Sequence, residues 1–281
     1  MKKYIKLILQ FFSESFSSLT SLARLLIFAS PLTAIRFSKY KDNNNRRTCI
    51  VLGNGPSLNE ALRNKEVEKG DYFALNMFVL SEYFVVLKPS FYFLVDGAFF
   101  NPYDSREKEL SEKIVDSLSK VYWKMVLIVP NRIDYHSFAK RLNNPNITVL
   151  RTNTNDFLGY KTIRNFIYKI NMGAPPCQTV MITALFSAIN LGYKKIFLYG
   201  ADHSWTKDLT VNDNNIVCYG DRHVYSTGLS VIEKKINIAT MLDRFSRMFK
   251  SHYVIREYAD SQNVSIINKT KGSFVDAYER K

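Results

Sequence analysis

Seven short apolar runs, separated by stretches of helical spacing, constrain this chain more than any other feature of it. They are Cys49–Leu52, Tyr72–Leu75, Phe91–Val95, Met125–Val129, Ile147–Leu150, Ile196–Tyr199 and Val264–Ile267. Most lack strict apolar–polar alternation, as expected of strands covered on both faces. The intervals carry helical spacing, most clearly at Gln178–Leu191 and Ile232–Phe249. Such alternation predicts an α/β fold, doubly wound around a largely parallel sheet. Ligands of such sheets bind beyond the carboxyl ends of the strands, near the switch in strand order.

The strand ends therefore hold the candidate site. After the first run comes Gly53-Asn54-Gly55-Pro56-Ser57, a tight turn into a helix start. It is either a plain strand-to-helix turn or a place where a ligand phosphate meets backbone, because glycine lacks a Cβ and helix N-terminal amides favour anions. The second run ends at Asn76, the third at Asp96, and the sixth at Gly200-Ala201-Asp202-His203-Ser204-Trp205. All four ends fall on one side of a parallel sheet. Gly173-Ala174-Pro175-Pro176-Cys177-Gln178-Thr179 precedes an apolar helix, which puts Gln178 and Thr179 at its positive end. Capping and anion binding both fit there. No Lys-Ser/Thr follows the glycines and a third glycine is missing, so neither the mononucleotide nor the dinucleotide fingerprint is met.

The 281 residues carry a net charge of +14, and half of it sits early. Met1 to Arg47 hold nine Lys/Arg against Glu14 and Asp42, a balance of +7. Apolar residues at helical spacing run through Tyr4 to Phe37, interrupted by Lys6, Glu14 and Arg24. The longest unbroken apolar run, Leu25 to Ala29, is far below the roughly 20 residues of a spanning helix. No cleavage pattern marks a signal peptide. Residues 1–46 thus read as a basic, amphipathic segment and linker lying on an inner membrane surface, or as a helix packed on the domain or on another subunit of a homo-oligomer. Residues 47–281 form the ligand-binding domain. No basic, aromatic-interleaved surface pattern runs through it, which argues against nucleic acid.

The stretch from about 203 to 230 is too long for a mere connection and reads as a lid. It carries Arg222, His223 and Tyr225. A neutral histidine is a natural general base for a sugar hydroxyl near neutral pH, and His223 is favoured over His203, which Asp202 could orient. Arg222 and Tyr225 suit charge on a leaving phosphate. Cys49, Cys177 and Cys218 share no metal spacing and read as free thiols in a reducing compartment. No Asp-x-Asp pair stands at a strand end, so no metal site is expected.

Gly53 to Leu58, Leu75-Asn76, and Ala188 through Leu191-Gly192-Tyr193-Lys194-Lys195-Ile196-Phe197-Leu198-Tyr199-Gly200-Ala201-Asp202 resemble two related groups. One is the bacterial CMP-sialic-acid-dependent sialyltransferases that decorate lipooligosaccharide. The other is the broader hydroxymethylpterin-diphosphokinase-like family, which includes surface-polysaccharide proteins. Glu257 to Asn268 and Gly272-Ser273-Phe274 look like that family's closing helix and strand. The resemblance implies a Rossmann-like, metal-independent, inverting transferase with no cofactor beyond its nucleotide-sugar donor. It carries cytidine-nucleotide contacts onto Asn54, Gly55, Ser57 and Asn76, and the catalytic base onto His223. Where the sialyltransferases have leaving-phosphate tyrosines, this chain has His203, Ser204 and Trp205. Another CMP-linked acidic sugar, or a different sugar nucleotide, is therefore as reasonable a donor as sialic acid.

Three functions follow as expectations. The first is a glycosyltransferase of lipopolysaccharide or capsule biosynthesis at the inner face of a bacterial cytoplasmic membrane, using Gly53, Asn54, Gly55, Pro56, Ser57, Asn76, Gln178 and Thr179 for the nucleotide and Asp96, Arg222 and Tyr225 for substrate. The second is an ATP- and magnesium-dependent diphosphokinase, with Asp96 and Asp202 as metal ligands. The third is a non-enzymatic, membrane-associated binding protein.

Overall fold

The computed structural model describes residues 2–41, 48–221, 230–234 and 236–280. The strands are β1 (Thr48–Leu52), β2 (Asp71–Leu75), β3 (Phe91–Phe93), β4 (Met125–Pro130), β5 (Ile147–Thr152), β6 (Lys195–Tyr199), β7 (Thr210–Val211), β8 (Val217–Asp221), β9 (Ser230–Lys234) and β10 (Ser265–Asn268). The α-helices are α1 (Lys2–Phe28), α2 (Pro31–Ser38), α3 (Ser57–Arg63), α4 (Tyr83–Leu87), α5 (Ser105–Ser119), α6 (His136–Leu142), α7 (Lys161–Lys169), α8 (Val180–Asn190) and α9 (Ile238–Ser261). Seven strands make one sheet in the order β10-β6-β1-β2-β3-β4-β5, and every neighbouring pair is parallel. The doubly wound parallel fold expected from the apolar runs is the fold observed.

The central strand shows why those runs do not alternate. Cys49 and Val51 join one core layer with Leu185, Ile255 and Tyr258 of α8 and α9. Ile50 and Leu52 join the opposite layer with Leu58 of α3, Phe84 of α4 and Leu118 of α5. All four strand residues are fully buried. Both faces being covered, polar alternation has no place.

Two sequence-based boundaries shift. The helix expected over Ile232–Phe249 begins at Ile238 and runs on to Ser261. Residues 230–234 instead pair antiparallel with β8, with Tyr219 opposite Ile232. Asn237 sets the true start, its side-chain oxygen accepting from Thr240 N at 2.8 Å. Within the stretch read as a lid, the described residues form a 3-10 turn at Ser204–Asp208 followed by β7, β8 and the start of β9, which belong to one small antiparallel sheet.

The amino-terminal helices pack on the domain in an unexpected way. α1 turns serines inward: Ser18 Oγ accepts from Tyr160 N and Ser21 Oγ from Leu158 N, both at 3.0 Å. Ser15 Oγ lies 2.7 Å from Tyr160 Oη. The helix comes so close that a Cβ on Gly159 would lie 2.8 Å from Ser18 N and Cα. Leu25 and Phe37 complete the seal by entering the core.

Candidate active site

β1 is the switch point. The chain moves from it through β2, β3, β4 and β5 on one side, and returns to place β6 and β10 on the other. The carboxyl ends of β1 and β6 are therefore neighbours, and their residues line a cavity of about 370 Å³. It holds Asn54, Gly55 and Pro56 after β1, Asn76 after β2, Asp96 after β3, and Asp202, His203 and Trp205 after β6. Gln178 and Thr179 close it from the start of α8. The strand ends singled out in the sequence do converge.

The glycines serve first to join these two strand ends. Gly53 N donates to Tyr199 O at 2.7 Å and Gly55 N to Gly200 O at 3.0 Å. A Cβ on Gly53 would overlap Gly200 O and sit 2.6 Å from Met181 Cε. One on Gly55 would fall inside the Asp202 carboxylate and 2.7 Å from Gly200 O. Neither position tolerates a side chain, whatever ligand arrives. Gly55 also lines the cavity, whereas Gly53 and Ser57 stand behind its wall.

Asp202 completes the join. Its carboxylate accepts from Ser57 Oγ at 2.7 Å and from Ser57 N at 3.3 Å, which caps the first turn of α3. Burial pushes its pKa up, and the bonds from Ser57 pull the other way. That carboxylate faces Ser57 and does not orient His203.

Three residues lining the cavity each hold a buried side-chain atom with no hydrogen-bond partner: Asn54 Oδ1, Asn76 Oδ1 and Thr179 Oγ1. Asn54 is fixed by its Nδ2, which donates to Leu75 O at 3.0 Å, so its oxygen is the free end. Asn76 sits at φ +42, a left-handed conformation that asparagine accepts better than most residues. Tyr92 Oη donates to its carbonyl and holds it there. Thr179 is the N-cap residue of α8, yet its side chain makes no capping bond. The helix N-terminus is thus open toward the cavity, and Val180 and Met181 of its first turn line the wall. Gln178 and Asp96 are exposed at the rim, with Asp96 accepting from Ala98 N at 3.1 Å. Cys177 also lines the wall, and burial pushes its thiol up to about 12, which makes it a poor nucleophile.

His203 leads into a buried chain. Its Nε2 lies 3.1 Å from His252 Nε2, and His252 Nδ1 lies 2.9 Å from Tyr278 Oη. Burial holds His203 down to about 4. Burial first, and the neighbouring His203 second, hold His252 well below the usual imidazole range. Both rings are therefore neutral near pH 7, and one of the two carries the proton between them. In the unfolded chain each histidine protonates near 6.5, while in the fold it does not until much lower pH. The unfolded state then binds more protons, so the stability contribution is full above about pH 6.5 and is lost as pH falls toward 4. For His203 alone the loss by pH 4 is about 3 kcal/mol. The melting temperature of His203→Asn is expected to fall less between pH 6.5 and 4.5 than that of the native chain. Equal slopes would remove the assignment.

His223, Arg222 and Tyr225 lie outside the described residues. The sequence reads His252, like His136, as a helical or surface-like position of no catalytic role, whereas His252 is fully buried; Tyr278 was not singled out. His252 occurs with Met248, Ile255 and Ala259 on the buried stripe of α9, a spacing that was available. Tyr278, 26 residues on, carried no local signal. Trp205, parallel to Phe245 with ring centroids 6.3 Å apart, adds an aromatic wall. Among the described residues no three His, Cys, Asp or Glu side chains stand together as metal ligands.

No protein-family model and no curated protein sequence matches this chain. Among the solved structures similar to it are two of a sialyltransferase. One is the sialyltransferase CstII from Campylobacter jejuni in complex with a substrate analogue, cytidine-5'-monophosphate, at 16% identity and a TM-score of 0.45, covering 85% of this chain and 86% of that one. The other is the sialyltransferase CST-II in complex with a trisaccharide acceptor and CMP, at 18% identity and a TM-score of 0.43, covering 83% and 85%.

Proposed function

We propose that this chain is a glycosyltransferase. Its donor is a nucleotide sugar, with a CMP-linked acidic sugar such as sialic acid the first choice. Its acceptor is a hydroxyl of a cell-surface glycolipid or lipid-linked oligosaccharide. One observation carries the reading: a single crevice at the switch point joins two unpartnered carboxamide oxygens to an uncapped helix N-terminus. The oxygens of Asn54 and Asn76 suit the hydroxyl and amino donors of a nucleoside. The first turn of α8, with Thr179 and Gln178, suits its phosphate.

Transfer in this reading is a direct displacement. The acceptor oxygen bonds to the anomeric carbon while the carbon–oxygen bond to phosphate breaks on the opposite side, inverting that centre. His223 takes the acceptor's proton, and the nucleotide leaves with the bonding pair toward the amide dipoles of α8. Asp96 contacts the substrate, and Arg222 and Tyr225 meet the charge on its leaving phosphate. No metal ion takes part in these steps.

The test is a thermal-shift series with CMP, UDP, GDP and ATP, each with and without magnesium. CMP is expected to raise the melting temperature selectively and without magnesium, by the equivalent of about 2.7 kcal/mol at a hundredfold excess over Kd. A response confined to ATP with magnesium, or to no nucleotide, would overturn the reading.

A further inference from the structure

The first 41 residues hold seven Lys/Arg against the single acidic residue Glu14. Their helices bury the polar stripe and leave the apolar faces uncovered. Ser18 and Ser21 are 5% and 4% exposed, whereas Phe12, Phe16, Leu19 and Leu26 are 65%, 70%, 66% and 89% exposed. From Tyr4 to Phe12 the helix is exposed at every described position, and only Lys6 and Gln10 interrupt its apolar residues. A helix apolar all round is ordinarily buried. On α2, Leu32 and Ile35 continue the uncovered face.

The geometry favours lying in a bilayer surface over crossing it. Among the described residues no single helix is long and apolar enough to span a membrane, and the pair Leu7–Phe28 and Pro31–Ser38 is bent by 86°. The bend is tied to the domain on both sides: Ser30 N donates to Asn153 Oδ1, and Asn153 Nδ2 donates to Ser30 O, each at 3.0 Å. Asn131 Nδ2 donates to Phe28 O at 3.2 Å. Straightening would break all three bonds. Arg24, Arg36, Lys39 and Lys41 are exposed around this face, a charge pattern that fits anionic headgroups.

The same contacts fix which way the site faces. Asn131 and Asn153 directly follow the carboxyl ends of β4 and β5, the end of the sheet that carries the crevice. Leu25 packs against Gly173 and shares a core with Phe157, Ala174 and Met181. The next residues of that segment, Cys177 to Met181, line the crevice. We infer that α1 and α2 form a one-leaflet anchor that seats the protein on an anionic lipid surface, with the crevice at the membrane end of the sheet. Resting on the transferase reading, this assigns an acceptor that stays embedded in the bilayer by its lipid while its glycan reaches the crevice.

The test is flotation of the full chain with vesicles of phosphatidylcholine alone or with 30% phosphatidylglycerol. The chain is expected to float with the anionic vesicles, and less with the neutral ones. The triple variant Phe12→Ser, Phe16→Ser, Leu19→Ser, whose positions face away from the domain, is expected to lose at least tenfold in vesicle partitioning. Its melting temperature shift with CMP is expected to stay unchanged, which separates the anchor from the donor site. Failure of the native chain to float would overturn the anchor. So would unaltered flotation of the variant joined to loss of a dimer in sedimentation, since a second copy would then cover the face.

Discussion

Gly55→Ala is expected to destabilise the protein by about 3 kcal/mol or more, and to abolish nucleotide-dependent stabilisation with it. The cost is steric. The new methyl would occupy the position of the Asp202 carboxylate and approach Gly200 O to 2.7 Å. Asp202 cannot swing aside freely, because Ser57 N and Oγ depend on it to begin α3. If it does move, a buried carboxylate loses both partners, and two donors at the head of α3 lose theirs. The strand ends must then separate, and the crevice lies between them. Gly97→Ala is the control, because nothing lies within 4 Å of its would-be Cβ. It is expected to stay within about 0.5 kcal/mol of the native chain. Denaturant unfolding of the two variants decides it: equal midpoints would show that the join between β1 and β6 is loose.

The largest effect on activity is expected at His223. Removing a general base costs a factor of about 10² to 10⁴ in turnover. Gly220, at the edge of the described residues before it, lines the crevice. His203 lines the crevice too, but its Nε2 faces His252 and burial has lowered its basicity to about 4. A base that weak accepts a proton poorly near pH 7. His223→Ala is therefore expected to lower kcat by at least a hundredfold while the CMP-induced shift in melting temperature persists. His203→Asn is expected to lower kcat far less. Native turnover in His223→Ala would end the role assigned to that residue.

The sheet was legible because its strands are buried on both faces, which leaves an apolar run wherever a strand occurs. The convergence of Asn54, Asn76, Asp96 and Asp202 followed from the parallel topology alone. Other features were hidden by the same physics. β7 has two residues and the neighbouring turn is rich in asparagine, so the one short apolar run there, Ile216 to Tyr219, was read as part of a loop. The glycines of the first turn pointed to a ligand, when their nearest obligation is to Gly200 and Asp202, about 150 residues away. The serines of α1 stand between its apolar residues. Hydroxyls also satisfy loop amides, and Leu158 N and Tyr160 N were waiting for them. Helical spacing locates a stripe without saying which side of it turns inward.

The docking of α1 has a consequence for how the chain is made. Ser18 and its partner Tyr160 are 142 residues apart in sequence. At synthesis rates of about 5–20 residues per second, α1 leaves the ribosome about 7 to 28 seconds before its seat exists. For that interval its serines have no amides to bind and Leu25 has no core to enter. Under the anchor proposed above, the nascent helix reaches lipid before it meets the rest of its own protein.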